Sequence, residues 1–405
     1  MLKKISVDQL RLGMHLHELC GSWMEHPFWR TNFVIQSDKE IRQIQESGIR
    51  EAWIDVGKGH DVEGETVAAV QANVDATLAQ IAASPEPIKK TTMAEELRQA
   101  ARICASSKQA MVSMFQDARM GQAVSYEAAG EVVNEITSSV LRNSGALISL
   151  ARLKTADDYT YMHSVAVSGL MVALAKQLNL DSDMIHEVGM AGLLHDLGKA
   201  FTPHDVLNKP GKLTDDEFAI MKRHPVDGHK VLAESGIVDE IPLDVVLHHH
   251  EKVDGTGYPD RLPGDRISLH ARMGAVCDVY DAITSNRPYK AGWGPAESIR
   301  KMAEWCKGHF DESIFRAFVK SIGIYPIGSL VRLHSGRIGV VIDQSAASLL
   351  KPKVKVFFST KSNMRIKPEI VDLSSRSGHD HIVSVEESSN WDFPDLNDLW
   401  TRVDP

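Results

Sequence analysis

A chain of 405 residues is long enough for two or three domains, at least one with a large core, and a hydrophobic fraction of 43% is that of a folded soluble protein. The formal charge of −9 argues against wholesale binding of nucleic acid, and the most apolar stretch, Val165 to Ala175, is too short to span a bilayer. Four cysteines (Cys20, Cys104, Cys277 and Cys306) without a C-x-x-C pair support neither a zinc knuckle nor a disulfide framework, and Met1-Leu2-Lys3-Lys4 has charge but no apolar run behind it. The expectation is a cytoplasmic protein that binds neither nucleic acid nor membrane.

Residues 1–57 read as a small α+β module. Asn32 to Gln36 forms a strand, Ser37 and Glu40 a capping box for a helix through Glu46, Gly48 its stop, and Ala52 to Val56 a second strand. Trp23, Phe28 and Trp29 are core or interface aromatics. Residues 58–135 read as linker and helices. An Ala-rich helix runs from about Glu65 to Ala83, Ser84-Pro-Glu-Pro87 breaks it, and Thr92 and Glu95 cap a helix running past Met111 that could serve a homodimer interface. Residues 136–324 keep helical periodicity almost throughout. The pattern changes at Tyr325-Pro326: Val331 to Ile342 alternates around a Ser335-Gly336 turn, and Val354 to Phe358 is a further strand, so 325–372 is a small β appendage. The tail, 373–405, is polar and weakly patterned. The fold class is mainly α.

The helical region carries the chemistry. A helix starting after Asp181 turns His195 inward and breaks at Leu197-Gly198; Asp196 follows His195 directly, and a buried carboxylate needs a cation. Lys199 lies one turn further on. His248-His249-His250-Glu251 ends another helix, and three successive histidines point in three directions. Asp278 and Asp281 share one face of a helix beginning near Ser268. His163 opens a strongly apolar helix, and His224 follows a helix capped by Thr214 and Glu217. Taken singly, each is a core histidine or a solvated charge. Together, inward imidazoles and carboxylates without thiolates suit hard or borderline divalent metals that activate water.

These segments resemble a family. His195-Asp196-Leu-Gly-Lys199, Lys209-Pro-Gly-Lys-Leu-Thr214, His249-His-Glu-Lys-Val-Asp-Gly-Thr-Gly-Tyr-Pro259 and Asp278-Val-Tyr-Asp-Ala-Ile-Thr-Ser-Asn-Arg-Pro-Tyr-Lys290 are similar to the HD-GYP domain, a bacterial subgroup of the HD metal phosphohydrolases, over roughly 155–320. The first module resembles one that often precedes such domains. The resemblance implies an all-helical HD fold and hydrolysis of cyclic di-GMP to pGpG, in some members onward to GMP, by a metal-bridged hydroxide in second-messenger signalling. It implies His163, His195, Asp196, His224, His249, His250 and Asp278 as metal ligands, with Asp196 bridging. Asp196 and Lys199 are the implied catalytic residues, and Lys199, Asp281, Arg287 and Lys290 would hold the nucleotide. Gly257-Tyr258-Pro259 is the implied contact loop for diguanylate cyclase (GGDEF) domains, and Glu251 could orient a ligand histidine. Three-metal members commonly carry Glu four residues before the first-helix histidine. Here that residue is Tyr159, whose phenol is a poor ligand, and Asp158 points about 100° away. Two metals are therefore expected, drawn from Fe, Mn, Ni, Co or Zn.

His204-Asp205 and His379-Asp380-His381 are read as decoys, and the Lys and Arg of 351–367 as a solvated β face. Three classes stay open: a cyclic di-GMP phosphodiesterase, an HD phosphohydrolase of another nucleotide, and a non-catalytic sensor or adaptor. The intact Gly257-Tyr258-Pro259 and the Arg287–Lys290 segment favour the first.

Overall fold

The computed structural model describes residues 2–19, 32–46, 51–62, 65–66, 91–153, 159–209, 213–285, 292–345, 348–375 and 380–401. The chain forms two compact units, Met1–Pro87 and Ile88–Pro405.

The first unit is a five-stranded antiparallel sheet with strand order β3-β2-β4-β1-β5, built from β1 (Leu2–Ser6), β2 (His15–Leu19), β3 (Phe33–Val34), β4 (Glu51–Asp55) and β5 (Glu65–Thr66), plus helix α1 (Asp38–Glu46). Leu2 pairs with Asp55 and Ile5 with Ala52. Ile5, Leu16, Ile35, Ile44 and Ile54 close its core. The sequence expectation of a helix from Glu65 is corrected here, because Glu65 and Thr66 pair with Lys4 and Lys3 as an edge strand. The remainder of that expected helix, the Ser84–Pro87 break, and Trp23, Phe28 and Trp29 lie outside the described residues.

The second unit is helical until residue 322. It contains α2 (Met93–Arg119), α3 (Tyr126–Arg142), α4 (Ser144–Arg152), α5 (Tyr159–Gln177), α6 (Ser182–Leu194), α7 (His204–Leu207), α8 (Asp215–Met221), α9 (His224–Glu234), α10 (Glu240–His248), α11 (Leu269–Thr284), α12 (Pro295–His309) and α13 (Glu312–Ile322). The expected starts are present: Thr92 with Glu95 and Thr214 with Glu217 make capping boxes, and Asp181 and Ser268 cap α6 and α11. Helix α5 is buried without interruption from Met162 to Ala175, which marks it as the central helix of the bundle. Glycine lets α6 approach it: a Cβ on Gly192 would lie 2.8 Å from Ser168 Cα. The buried stripe of α2, including Leu97, Ala100, Met111 and Phe115, packs inside this unit, so a homodimer through α2 would have to use its polar side.

The C-terminal strands β6 (Leu330–Leu333), β7 (Arg337–Asp343), β8 (Lys353–Ser359), β9 (Met364–Asp372) and β10 (Ile382–Val385) form an antiparallel sheet ordered β10-β6-β7-β8-β9. The tail is more structured than its polarity suggests. Residues Ile382–Val385 supply an edge strand, Trp391 and Phe393 pack on Phe358, and Trp400 of α14 (Leu396–Thr401) is buried in the core shared with the helices. Among the described residues, no helix is long and apolar enough to cross a membrane.

Candidate metal centre

Five segments bring the inward histidines and carboxylates together. Helix α5 presents His163 in its first turns. Helix α6 runs into His195, and Asp196 opens a 3₁₀ turn, Leu197–Phe201, that carries Lys199. Gly198 fixes where this turn sits, since a Cβ there would lie 1.9 Å from the His224 carbonyl oxygen and 2.5 Å from Gly228 N. The turn therefore lies directly on the backbone of α9, whose first residue is His224. His249 is the C-cap of α10, followed by His250, and α11 supplies Asp278.

The side chains converge around Asp196. Its Oδ2 lies 3.4 Å from both His163 Nε2 and His195 Nε2, and its Oδ1 lies 3.3 Å from His224 Nε2 and 3.9 Å from His249 Nε2. Asp278 Oδ1 lies 3.0 Å from His163 Nε2, and Asp278 Oδ2 lies 3.7 Å from His250 Nδ1. Among the described residues, three overlapping groups could hold an ion: His224 with His249 and His250, His163 with His195 and Asp278, and His195 with Asp196 and His249. Each carboxylate oxygen of Asp196 thus faces a different histidine pair.

The opposite ring nitrogens are fixed. His195 Nδ1 donates to Gly192 O at 2.8 Å, His224 Nδ1 to Met221 O at 2.8 Å, and His249 Nδ1 to Val245 O at 3.0 Å. A carbonyl only accepts, so each Nδ1 carries the proton and each Nε2 turns a lone pair inward. Two of those lone pairs face one another, His224 and His249 Nε2 being 3.3 Å apart, and His195 Nε2 lies 3.3 Å from His163 Nε2. Asp196 Oδ1 is buried without a hydrogen-bond partner. Convergent lone pairs and an orphaned buried carboxylate oxygen fit a divalent cation of borderline hardness.

Electrostatics agree. Burial lowers His224 to about 3 and His250 to about 4, and it drives His249 well below its ordinary value with help from the neighbouring imidazoles. These rings are neutral, as ligands must be. Burial opposes ionisation of Asp196, but Lys199 and the facing histidines outweigh it and hold the carboxyl well below the usual range. Asp278 behaves likewise through His163. Burial also opposes a charge on His163, yet Asp278 and Asp281 raise it.

Residues 136–314 match the family model of the HD domain, and residues 2–129 match a domain of unknown function, DUF3391. A cyclic di-GMP phosphodiesterase of Pseudomonas aeruginosa, PA4108, is 54% identical over 404 residues, spanning 100% of this chain and 96% of its own. The chain is a member of the HD-GYP family. The cyclic di-GMP phosphodiesterase response regulator RpfG of Xanthomonas campestris is 43% identical over 150 residues, 36% of this chain and 40% of its own. The 3′3′-cGAMP-specific phosphodiesterase 1 of Vibrio cholerae is 35% identical over 164 residues, 40% of this chain and 38% of its own.

Several HD-GYP residues stand elsewhere than their sequence suggests. Asp281, expected on the nucleotide, is buried with Oδ2 accepting from His163 Nδ1 at 2.6 Å. The Glu251 carboxylate bonds to backbone rather than to a ligand histidine. It is buried and accepts backbone N–H groups of Asp260 (2.7 Å), Arg261 (2.9 Å) and Leu262 (3.1 Å), anchoring the Gly257-Tyr258-Pro259 loop. Gly257 permits this packing, because a Cβ there would lie 2.4 Å from Lys252 N. The Tyr258 ring, before a cis Pro259, covers His250 with centroids 4.8 Å apart. His248 leaves the cluster for Asp244 (2.7 Å) and Asp260 (3.1 Å). Lys199 pairs with Asp196 at 2.5 Å, and the Tyr159 ring stacks on His163 with centroids 5.7 Å apart. His204 and Asp205 are both exposed on α7, and Asp380 binds Arg337. Arg287, Lys290, Asp158, His379 and residues 210–212 lie outside the described residues.

Proposed function

We infer that this protein is a cyclic di-GMP phosphodiesterase that yields pGpG, with His163, His195, Asp196, His224, His249, His250 and Asp278 holding two divalent ions. The division of Asp196 between two histidine pairs carries this reading. Divalent ions bound there would acidify a water and neutralise the phosphodiester. The anchored Nδ1 protons of His195, His224 and His249 keep the Nε2 atom of each ring aimed inward. Lys199 places a cation beside Asp196, where charge builds on the phosphate oxygens. Asp281 acts by orienting His163. Tyr258 limits how far His250 can swing. Arg287 and Lys290 remain the proposed phosphate and guanine contacts.

The imidazole and carboxylate set suits Fe, Mn, Ni, Co or Zn, and Tyr159 in place of a third-site carboxylate supports two ions. The same reading puts the protein in the bacterial cytoplasm, in second-messenger signalling. The outer rim of the Tyr258 loop, with Asp254, Thr256 and Asp260 exposed, would meet GGDEF domains. The likeness to a 3′3′-cGAMP-specific enzyme favours one second reading, hydrolysis of that mixed dinucleotide.

The test is Mn(II)-loaded protein supplied with cyclic di-GMP or 3′3′-cGAMP, resolving linear dinucleotide from mononucleotide. Turnover of cyclic di-GMP is expected and should vanish in Asp196→Ala. Preferential cleavage of 3′3′-cGAMP would select the second reading, and an Asp196→Ala variant as fast as the parent would overturn both.

A further inference from the structure

Arg152, the last residue of α4, is half-buried and lines a partly open cavity of about 30 Å³ with Tyr280, Asp281, Thr284, Ser149 and Gln344. That is room for one or two water molecules. Burial lowers the pKa of Arg152, while Tyr280, through a hydrogen bond, and Asp281 act to hold its charge. A cation in such a place needs compensation. The carboxylate acting on it is the one that accepts the His163 Nδ1 proton at 2.6 Å.

Arg152 also meets the C-terminal tail and the turn before β6. Its Cζ lies 5.7 Å from the centroid of the Trp400 ring, on the last described helix. Gly328, just before β6, has φ +85°, and a Cβ there would lie 2.4 Å from Arg152 Nη2 and 3.3 Å from Trp400 Nε1. The guanidinium is therefore gripped between α11 and two residues far along the chain.

We propose that Arg152 is a positioning residue of the metal centre, holding Asp281 and through it the His163 ring, and that Gly328 and Trp400 hold Arg152 in place. The C-terminal sheet and tail are then part of the metal centre's support. The proposal rests on reading His163 as a metal ligand. It goes beyond that reading by assigning two contacts outside the residues matched to the HD domain, 136–314.

The experiment uses the full chain stripped of metal and titrated with Co(II), read by its visible absorption, with circular dichroism to establish folding. Arg152→Met and Asp281→Asn should each weaken Co(II) binding about tenfold or more, and the double variant should be no weaker than Asp281→Asn alone. Arg152→Lys should fall between, and Trp400→Leu should weaken binding in the same direction. In the metal-free protein, the downfield proton resonance of His163 Nδ1–H should move in Arg152→Met and Trp400→Leu. Wild-type affinity and an unmoved resonance in folded Arg152→Met or Arg152→Lys would overturn the proposal, as would additive losses in the double variant. Failure of the parent protein to bind Co(II) would instead remove the metal reading beneath it, with the resonance still reporting on the Arg152–Asp281–His163 linkage.

Discussion

Gly198 rests on the backbone of His224, with no room for even one added carbon between the HD turn and the start of α9. The obstructing atom is a carbonyl oxygen of a helix, which cannot rotate away as a side chain could. Gly198→Ala should push the turn off α9, separate Asp196 from His224 and destabilise the fold by about 1–3 kcal/mol. Thermal unfolding and bound metal per chain check this. A variant with parental melting and full metal content would show that the two backbones can part at no cost.

Glu251 is the hub of the Tyr258 loop. Glu251→Ala would leave three part-buried N–H groups without their acceptor, a loss on the order of 3 kcal/mol. Glu251→Gln, with one acceptor oxygen left, should lose less. Denaturant midpoints should rank parent, Gln, Ala, and activity should fall along with them as the loop loosens over His250.

Tyr159 stands where a carboxylate would extend the cluster. Tyr159→Glu should raise the bound metal from two ions toward three per chain and speed conversion of pGpG to GMP. Metal analysis beside product chromatography decides it; three ions in the parent protein would contradict the argument from the phenol.

Acid should unfold the metal-free protein early. His224, at about 3, and His250, at about 4, lie below the unfolded value near 6.5, so the folded state binds fewer protons than the unfolded one as pH falls. Their stabilisation is complete above pH 6.5 and is lost toward pH 4, on the order of 1 kcal/mol per group per pH unit. His163, raised, works the other way: its contribution is present below 6.5 and lost as pH rises. The depressed groups outnumber it, His249 included, so the melting temperature should drop between pH 7 and pH 5. A flat or rising profile would contradict this balance.

Much of the helical unit is legible in the sequence because its signals are local. Asp181, Thr92, Thr214 and Ser268 cap the helices they precede, and the run from Val165 to Ala175 announces a helix buried on all sides. Short edge strands are not legible in the same way. Leu2–Ser6, Glu65–Thr66 and Ile382–Val385 owe their conformation to a partner strand, and a two-residue pairing has no pattern of its own. Trp391, Phe393 and Trp400 were the available sign that the polar tail packs.

The sequence by itself determined the donor chemistry: imidazoles and carboxylates without thiolates, an Asp directly after an inward His, and helices that could turn them toward a core. Only the tertiary structure decided which of them meet. Convergence depends on close backbone approach at Gly192 and Gly198 and on helix-end carbonyls free to take the Nδ1 protons. It also sent Asp281 to His163, Glu251 to a loop and His248 away from the cluster. Spacing along a chain fixes the face of a helix, but the neighbour of that face is set by packing between segments distant in sequence.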